Sequence, residues 1–261
     1  MASSSLAIKD DFIGPNSGPK IDRLTYAIGD IHGRFDLFKR MIQRIRQDIE
    51  MSGGYGRIVL LGDYIDRGYE SAKVLGGIIS LRQQNWCEVV ELLGNHEQVL
   101  LKFLADPSIG PEWFRFGGFE TVRSFGVPLA RDPESPEEWK LVCARLNAAI
   151  PPEYLSLLKS MKCRFDAGDY VFVHAGVDPD VDLSRQTQEA LLWIREPFLR
   201  VRRACEKAVV HGHTTSEEVV NEVWRIGLDT GAYATGVLSA VRLESCNRQV
   251  IQISSRRALA A

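Results

Sequence analysis

Short apolar runs recur along this chain, and each stops at a glycine or a histidine. Residues 24–28, 57–61, 87–93 and 170–173 have the length and polarity of buried strands, with glycine or polar residues at their ends. Residues 209–210 make a shorter run of the same kind. Between the first three, residues 35–50 and 70–84 carry helical patterns, so the opening predicts β-α-β-α-β. The stops are Gly29-Asp30, Gly62-Asp63, Gly94-Asn95, His174 and His211. In such sheets ligands gather at the carboxyl ends of the strands. Five strand ends are therefore expected to converge on one site.

Residues 98–162 break this rhythm. They hold helix-like stretches around Glu112-Trp113-Phe114 and over 139–149, and none of the terminating clusters, which predicts a mostly helical insertion. It either walls a cleft beside the site or covers one sheet face. After Val223 the runs 224–228, 237–243 and 249–253 read as consecutive antiparallel strands. A chain of 261 residues is expected to form one α/β domain, here 23–254, after a loose Ser-, Gly- and Pro-rich tail over 1–22.

Composition narrows the classes. The chain is 45% hydrophobic and 25% charged, which is ordinary for a globular protein. A net charge of -2 leaves no basic excess to neutralise phosphates, so no nucleic-acid partner is expected. No apolar run approaches the roughly 18 residues needed to span a bilayer, and the N-terminus has no apolar signal core. Cys87, Cys143, Cys163, Cys205 and Cys246 are widely spaced and form no CxxC pair, which fits reduced thiols in a cytoplasmic protein.

The histidines carry the chemistry. All five lie in short clusters: Gly29-Asp30-Ile31-His32-Gly33, Gly94-Asn95-His96-Glu97, His174-Ala175-Gly176 and His211-Gly212-His213-Thr214. A further cluster, Gly62-Asp63-Tyr64-Ile65-Asp66-Arg67-Gly68, adds two carboxylates and an arginine. Imidazole and carboxylate together are the usual ligands of borderline and harder divalent ions. Glycine lets the backbone turn sharply enough to bring short side chains to one point. The pattern predicts a metal site, and its mixed N/O donors suit Mn²⁺, Fe or Zn²⁺.

In this order the five clusters resemble the phosphoprotein phosphatase family of metallophosphoesterases. The likeness runs from about Leu24 to Leu243, and Leu192-Trp193-Ile194-Arg195-Glu196 and Asp229-Thr230-Gly231-Ala232 are similar to its bacterial members, which are related to symmetrical diadenosine tetraphosphatases. The resemblance implies a β-sandwich of mixed sheets flanked by helices (αββα). It also implies two divalent ions per chain, with Mn²⁺ preferred. Asp30 and His32 would bind the first, Asp63 would bridge both, and Asn95, His174 and His213 would bind the second. A bridging carboxylate suits ions roughly 3.5–4 Å apart, which together activate a water as hydroxide. His96 is then the candidate general acid, with Asp66 holding it protonated. Arg67 and Arg195 would clamp phosphate oxygens, a role suited to a planar, always charged fork. His211 is either a strand-end residue or one that orients a ligand or a water. Glu97 is either a partner behind the ligands or a solvent-exposed helix-start carboxylate.

The implied activity is phosphomonoester hydrolysis. Symmetrical tetraphosphatases of this type lack the second acid of the Asp-Arg-Gly cluster and read Gly-Asn-His-Asp. The presence of Asp66 and Glu97 therefore favours a serine/threonine protein phosphatase acting on a phosphoprotein or a small phosphoester. Tetraphosphatase or broad phosphoesterase activity is the alternative, in which Trp113, Phe114 and Phe116 would stack on a base if they face the site. A non-catalytic phosphate-binding scaffold would require a lost ligand or acid, and none is lost. A nuclease is disfavoured because Thr215 stands where a second histidine is expected in Gly-His-x-His.

Overall fold

The computed structural model describes residues 18–255. The chain order is β1 Thr25–Ile28, α1 Phe35–Met51, β2 Gly56–Leu60, α2 Ser71–Arg82, β3 Cys87–Glu91 and α3 Asn95–Ala105. Four helices follow: α4 Gly110–Arg115, α5 Gly118–Ser124, α6 Pro136–Ala149 and α7 Pro152–Ser160. Then come β4 Arg164–Ala167, β5 Tyr170–Val173, α8 Gln188–Trp193, β6 Ala208–His211, β7 Val220–Asn221 and β8 Arg225–Gly227. The last elements are α9 Ala232–Thr235, β9 Val237–Glu244 and β10 Asn247–Ser254.

Two five-stranded mixed sheets stack face to face, in the orders β10-β9-β1-β2-β3 and β4-β5-β6-β8-β7. Side-chain alternation builds the layers. Tyr26 and Ile28 of β1 face outward with Ile58 and Leu60 of β2, and meet Leu37, Met41, Ile45 and Ile49 of α1. The intervening Ala27 and Val59 face inward and meet Tyr170, Phe172, Val210 and Ile226 of the other sheet. Val171, Val173 and Val209 then face outward from that sheet against Leu191 and Phe198. A strand with both faces covered must be apolar throughout, so β1, β2, β5 and β6 read as continuous runs. The result is αββα, as the resemblance implies.

Several expectations need correction. The runs near 224–228, 237–243 and 249–253 are not three consecutive antiparallel strands. β8 lies parallel to β6 in one sheet, whereas β9 and β10 form a hairpin in the other, with β9 antiparallel to β1. The chain changes sheet between Gly227 and Val237, and apolar patterning carries no signal for such a crossing. Residues 98–162 are helical, but α3 begins three residues earlier, at Asn95. The helices do both things left open for them. Phe103, Trp113 and Leu146 join the core under the first sheet, while Phe114, Arg115 and Phe116 line a cavity of about 780 Å³ together with Arg67 and Tyr233. Most of the 1–22 tail lies outside the described residues. Its end is docked rather than loose: Lys20 N–H donates to Asp169 and Ile21 N–H to the Ser245 carbonyl.

Candidate metal centre

The loops that end the strands are tightly wound. Among the described residues six non-glycine residues have φ between +44° and +69°, and five of them are His32, Asp63, Asp66, Arg67 and His213. Such a conformation costs about 1–3 kcal/mol per residue and persists only where its surroundings over-determine it. Here the loops brace one another. Ile31 and His32 N–H both donate to the Asp63 carbonyl, at 3.0 and 2.9 Å, and Gly33 N–H donates to that of Tyr64 at 2.8 Å. Gly94 is required by close approach, because a Cβ there would stand 2.2 Å from Asp63 Oδ1.

Glu97 ties two of these loops together. It is fully buried, and its carboxylate accepts N–H bonds from Asp63 at 2.9 Å, Tyr64 at 2.8 Å, Ile65 at 3.3 Å and Gly94 at 3.0 Å. Burial and then Asp63 push its pKa up to about 8, opposed by His96 and by the N–H bonds, which favour the anion. Of the two roles open for Glu97 in the sequence, the exposed helix-start carboxylate is excluded.

The candidate donors meet at the strand ends. Asp30, His32, Asp63, Asn95, His174 and His213 are all at least nine-tenths buried. Asp63 is central: His32 Nε2 lies 3.6 Å from its Oδ2, and His174 Nε2 lies 3.3 Å from its Oδ1. Asn95 Oδ1 lies 2.8 Å from His174 Nε2 and 3.0 Å from His213 Nδ1. Asp30 accepts the His213 N–H through both oxygens, at 3.2 and 3.0 Å. Ligand atoms of His32, Asp63 and His96 fall within 4.8 Å of one another, as do those of Asp63, His174 and His213.

The donor chemistry fits bound cations. His32 Nδ1 is 2.8 Å from the Ile65 carbonyl and His174 Nδ1 is 2.8 Å from that of Leu61. A carbonyl only accepts, so both Nδ1 atoms carry the proton and Nε2 presents a lone pair toward Asp63. Burial holds His32 and His174 below the usual histidine range and holds His213 down at about 3, which favours the neutral ring in each. Burial also raises Asp30 well above the usual range, and Asp229 and then Asp63 add to it. Burial would raise Asp63 too, but His174, His96, His32 and His213 outweigh it and hold it low. Lone pairs pointing at lone pairs in a dry site repel, and a divalent ion between them removes the repulsion.

His96 differs from the other rings. Its Nδ1 donates to Asp66 Oδ2 at 2.7 Å. Burial would lower its pKa, but Asp63 and Asp66 together outweigh burial and raise it. A ring held toward the imidazolium is a poor ligand and a good proton donor. Arg67 Nη2 stands 3.4 Å from His96 Nε2, and its guanidinium lies over Tyr233, 4.6 Å from the ring centre. Arg195 is exposed and lies close enough to His213 for its charge to help lower that ring.

Other candidates move. His211 lies outside the donor groups; it packs edge-on against Phe198 with ring centres 5.0 Å apart, and its Nε2 has no hydrogen-bond partner. Trp113 has no exposed surface and cannot stack on a base. Phe114 packs on Trp139, with ring centres 4.7 Å apart, while Phe116 stands 5.9 Å from the His96 ring. The sequence by itself gives Tyr233, Thr121 and Asp229 no role. Tyr233 follows Asp229-Thr230-Gly231-Ala232 directly, so only that cluster hinted at it. Asp229 binds Thr215 Oγ1 at 2.6 Å and Gly231 N–H at 2.9 Å, fixing the loop that follows β8.

Residues 24–234 match the model of the calcineurin-like phosphoesterase family. Serine/threonine-protein phosphatase 1 of Salmonella typhimurium is 27% identical over 231 residues, which cover 85% of this chain and 93% of that one. A symmetrical bis(5'-nucleosyl)-tetraphosphatase of Cellvibrio japonicus is 31% identical over 202 residues, covering 68% and 67%. The fold also matches a crystal structure described as a putative diadenosine tetraphosphatase, with a TM-score of 0.64, 19% identity, and 91% and 97% of the two chains covered. The family match runs from β1 into α9, across every loop that bears a candidate donor, and on that ground this chain belongs to the calcineurin-like phosphoesterases.

Proposed function

We propose that this metallophosphoesterase hydrolyses phosphomonoesters, foremost phosphoserine and phosphothreonine in proteins. The observation that carries the proposal is the buried His96–Asp66 pair, 2.7 Å apart and within 4 Å of Asp63 through His96 Nε2. Two ions, Mn²⁺ in preference to Fe or Zn²⁺, fit the donors: Asp30, His32 and Asp63 for one, and Asp63, Asn95, His174 and His213 for the other. When bound, such a pair supplies a nucleophilic water near neutral pH and positive charge for phosphoryl oxygens.

The chain's own residues do the rest. Asp66 fixes the Nδ1–H tautomer of His96, so that a second proton on Nε2 faces the leaving oxygen. Serine alkoxide is a poor leaving group and needs that proton; general acid catalysis is worth about 10²–10⁴-fold. Arg67 and Arg195 hold phosphate oxygens while the bond to the leaving group breaks. Arg67 Nη2 lies 3.4 Å from His96 Nε2, so clamp and acid can act on the same phosphoryl group. The five free cysteines suit a cytoplasmic enzyme, whose substrate on this reading is a phosphoprotein or a small phosphoester.

A second reading is symmetrical dinucleoside tetraphosphate hydrolysis. It is favoured by the 31% identical relative and by a cavity that sets Phe116 and Tyr233 beside Arg67. Asp66 weighs against it, because tetraphosphatases of that type lack this acid. The deciding experiment compares kcat/KM of Mn²⁺-loaded protein on a phosphothreonine peptide, p-nitrophenyl phosphate and diadenosine tetraphosphate. The highest value is expected on the peptide, and a higher one on the dinucleotide overturns the preferred substrate.

A further inference from the structure

The Asp66 carboxylate is completely buried and takes three hydrogen bonds, two of them from the helical insertion. Oδ2 accepts from His96 Nδ1 at 2.7 Å and from Trp113 Nε1 at 3.0 Å. Oδ1 accepts from Thr121 Oγ1 at 2.6 Å. Thr121 Oγ1 also accepts the Asp66 N–H at 2.8 Å and lies 3.1 Å from Ser71 Oγ. A hydroxyl has one donor and two acceptor sites, so Thr121 is used to capacity. It grips Asp66 by side chain and main chain together.

The insertion also seizes the next residue. Gly117, between α4 and α5, accepts the Arg67 N–H through its carbonyl at 3.1 Å. Gly117 has φ +98°, and a Cβ there would stand 2.5 Å from Arg67 N. Only glycine both turns this corner and comes this close. Asp66 and Arg67 are themselves in the left-handed region, at φ +69° and +66°. Left alone, two consecutive residues in that region relax. The corner from Trp113 to Thr121 is what opposes relaxation.

We propose that Trp113 and Thr121 are positioning residues for leaving-group protonation: they hold Asp66, and through it His96, in line with the scissile bond. This rests on the reading of His96 as the acid. It assigns the insertion a part in the chemical step beyond lining the cavity. Neither side chain reaches the donor set or the cavity, so neither acts on the phosphate directly. Two independent grips also explain how a strained pair of loop residues keeps one geometry in an element built mostly of short helices.

The test uses full-length, Mn²⁺-loaded protein carrying Thr121→Val, Thr121→Ser or Trp113→Phe. Turnover is measured on a phosphothreonine peptide and on p-nitrophenyl phosphate, and bound metal is measured by elemental analysis. Thr121→Val and Trp113→Phe should each lower kcat on the peptide about tenfold or more. On the activated aryl ester, whose leaving group departs almost unaided, the loss should stay below about threefold. Bound metal should not change, and Thr121→Ser, which keeps the hydroxyl, should restore most of the peptide rate. His96→Asn is the control. Selective loss in His96→Asn, with equal losses on both substrates in the Thr121 and Trp113 variants, overturns this inference alone. Equal losses in His96→Asn overturn the acid reading and this inference with it. Should Thr121→Val not fold, the Trp113→Phe and Thr121→Ser results decide the matter in the same way.

Discussion

At the scale of single residues, the centre depends on which atoms are left with lone pairs. Asp63 lies within 4 Å of three imidazole Nε2 atoms, those of His32, His96 and His174. Asp63→Asn replaces one oxygen with an NH₂ that cannot bridge two cations. Activity on every substrate should vanish, and bound metal should fall below two per chain by elemental analysis; full activity would end the two-ion proposal. His96→Asn tests the other half of the chemistry. It should cost the phosphopeptide about 10²–10⁴-fold and p-nitrophenyl phosphate far less, because only the former needs a proton on its leaving group. His211 offers a pH test apart from catalysis. Burial holds its pKa down at about 4 in the folded chain, against about 6.5 unfolded. Above pH ~6.5 the ring is neutral in both states; as pH falls toward 4 only the unfolded chain takes the proton, so stability drops through that window. Relative to His211→Asn, the wild type should lose on the order of 3 kcal/mol between pH 7 and pH 4 in urea melts. A constant difference between the two proteins would show that His211 takes up its proton as readily in the fold as in the unfolded chain.

At the scale of elements, the strand-end loops act as a set, and Glu97 is the clearest case. It sits in the first turn of α3, yet it accepts N–H bonds from three consecutive residues after β2 and from Gly94. Glu97→Gln turns one acceptor oxygen into a donor that faces N–H groups. Leaving buried donors unmatched costs about 1–3 kcal/mol per group, so chemical denaturation should show at least about 2 kcal/mol of lost stability. Metal content should fall with it, because the loop so loosened carries Asp63. Unchanged stability and metal content would mean that the loop keeps its shape without Glu97. The helical insertion is a second such element: it is tied to Asp66 and Arg67 through Trp113, Gly117 and Thr121, which no local signal in residues 98–162 announced.

At the scale of the whole molecule, the two sheets bring together strand ends that lie as far as 183 positions apart, as in the contact between His213 and Asp30. Six buried candidate donors turned toward one another are expected to make the metal-free fold less stable than the loaded one. Ligand binding to the native state alone adds about 2.7 kcal/mol at a hundredfold excess over Kd. Chelator treatment should therefore lower Tm by about 5–10 °C, and added Mn²⁺ should restore it. An unchanged melting curve on verified metal removal would argue that the site folds around water rather than cations.

The sequence by itself determined where the histidine and carboxylate clusters stand, at the ends of apolar runs, while the family resemblance supplied the six candidate donors and the αββα layers. Histidine confined to glycine-flanked clusters at the ends of apolar runs has few uses other than a shared ion site, and continuous apolar strands fit only a sheet covered on both faces. The clustering of Asp30, His32, Asp63, Asn95, His174 and His213 at the strand ends was legible for that reason, as were the β-α-β-α-β opening and β5; the division of these residues between two ions came from the resemblance. What the tertiary structure decided were matters of partnership. β8 joins β6 rather than β9, because the choice of sheet depends on long-range packing and leaves no local pattern. Glu97 is buried because its partners arrive from a loop more than thirty positions away in the chain. Trp113 is read in the sequence as an aromatic that can stack on a base, and in the fold it is a buried donor to Asp66. A side chain's type is written in the sequence, but the atom it meets is set only when distant segments close on one another.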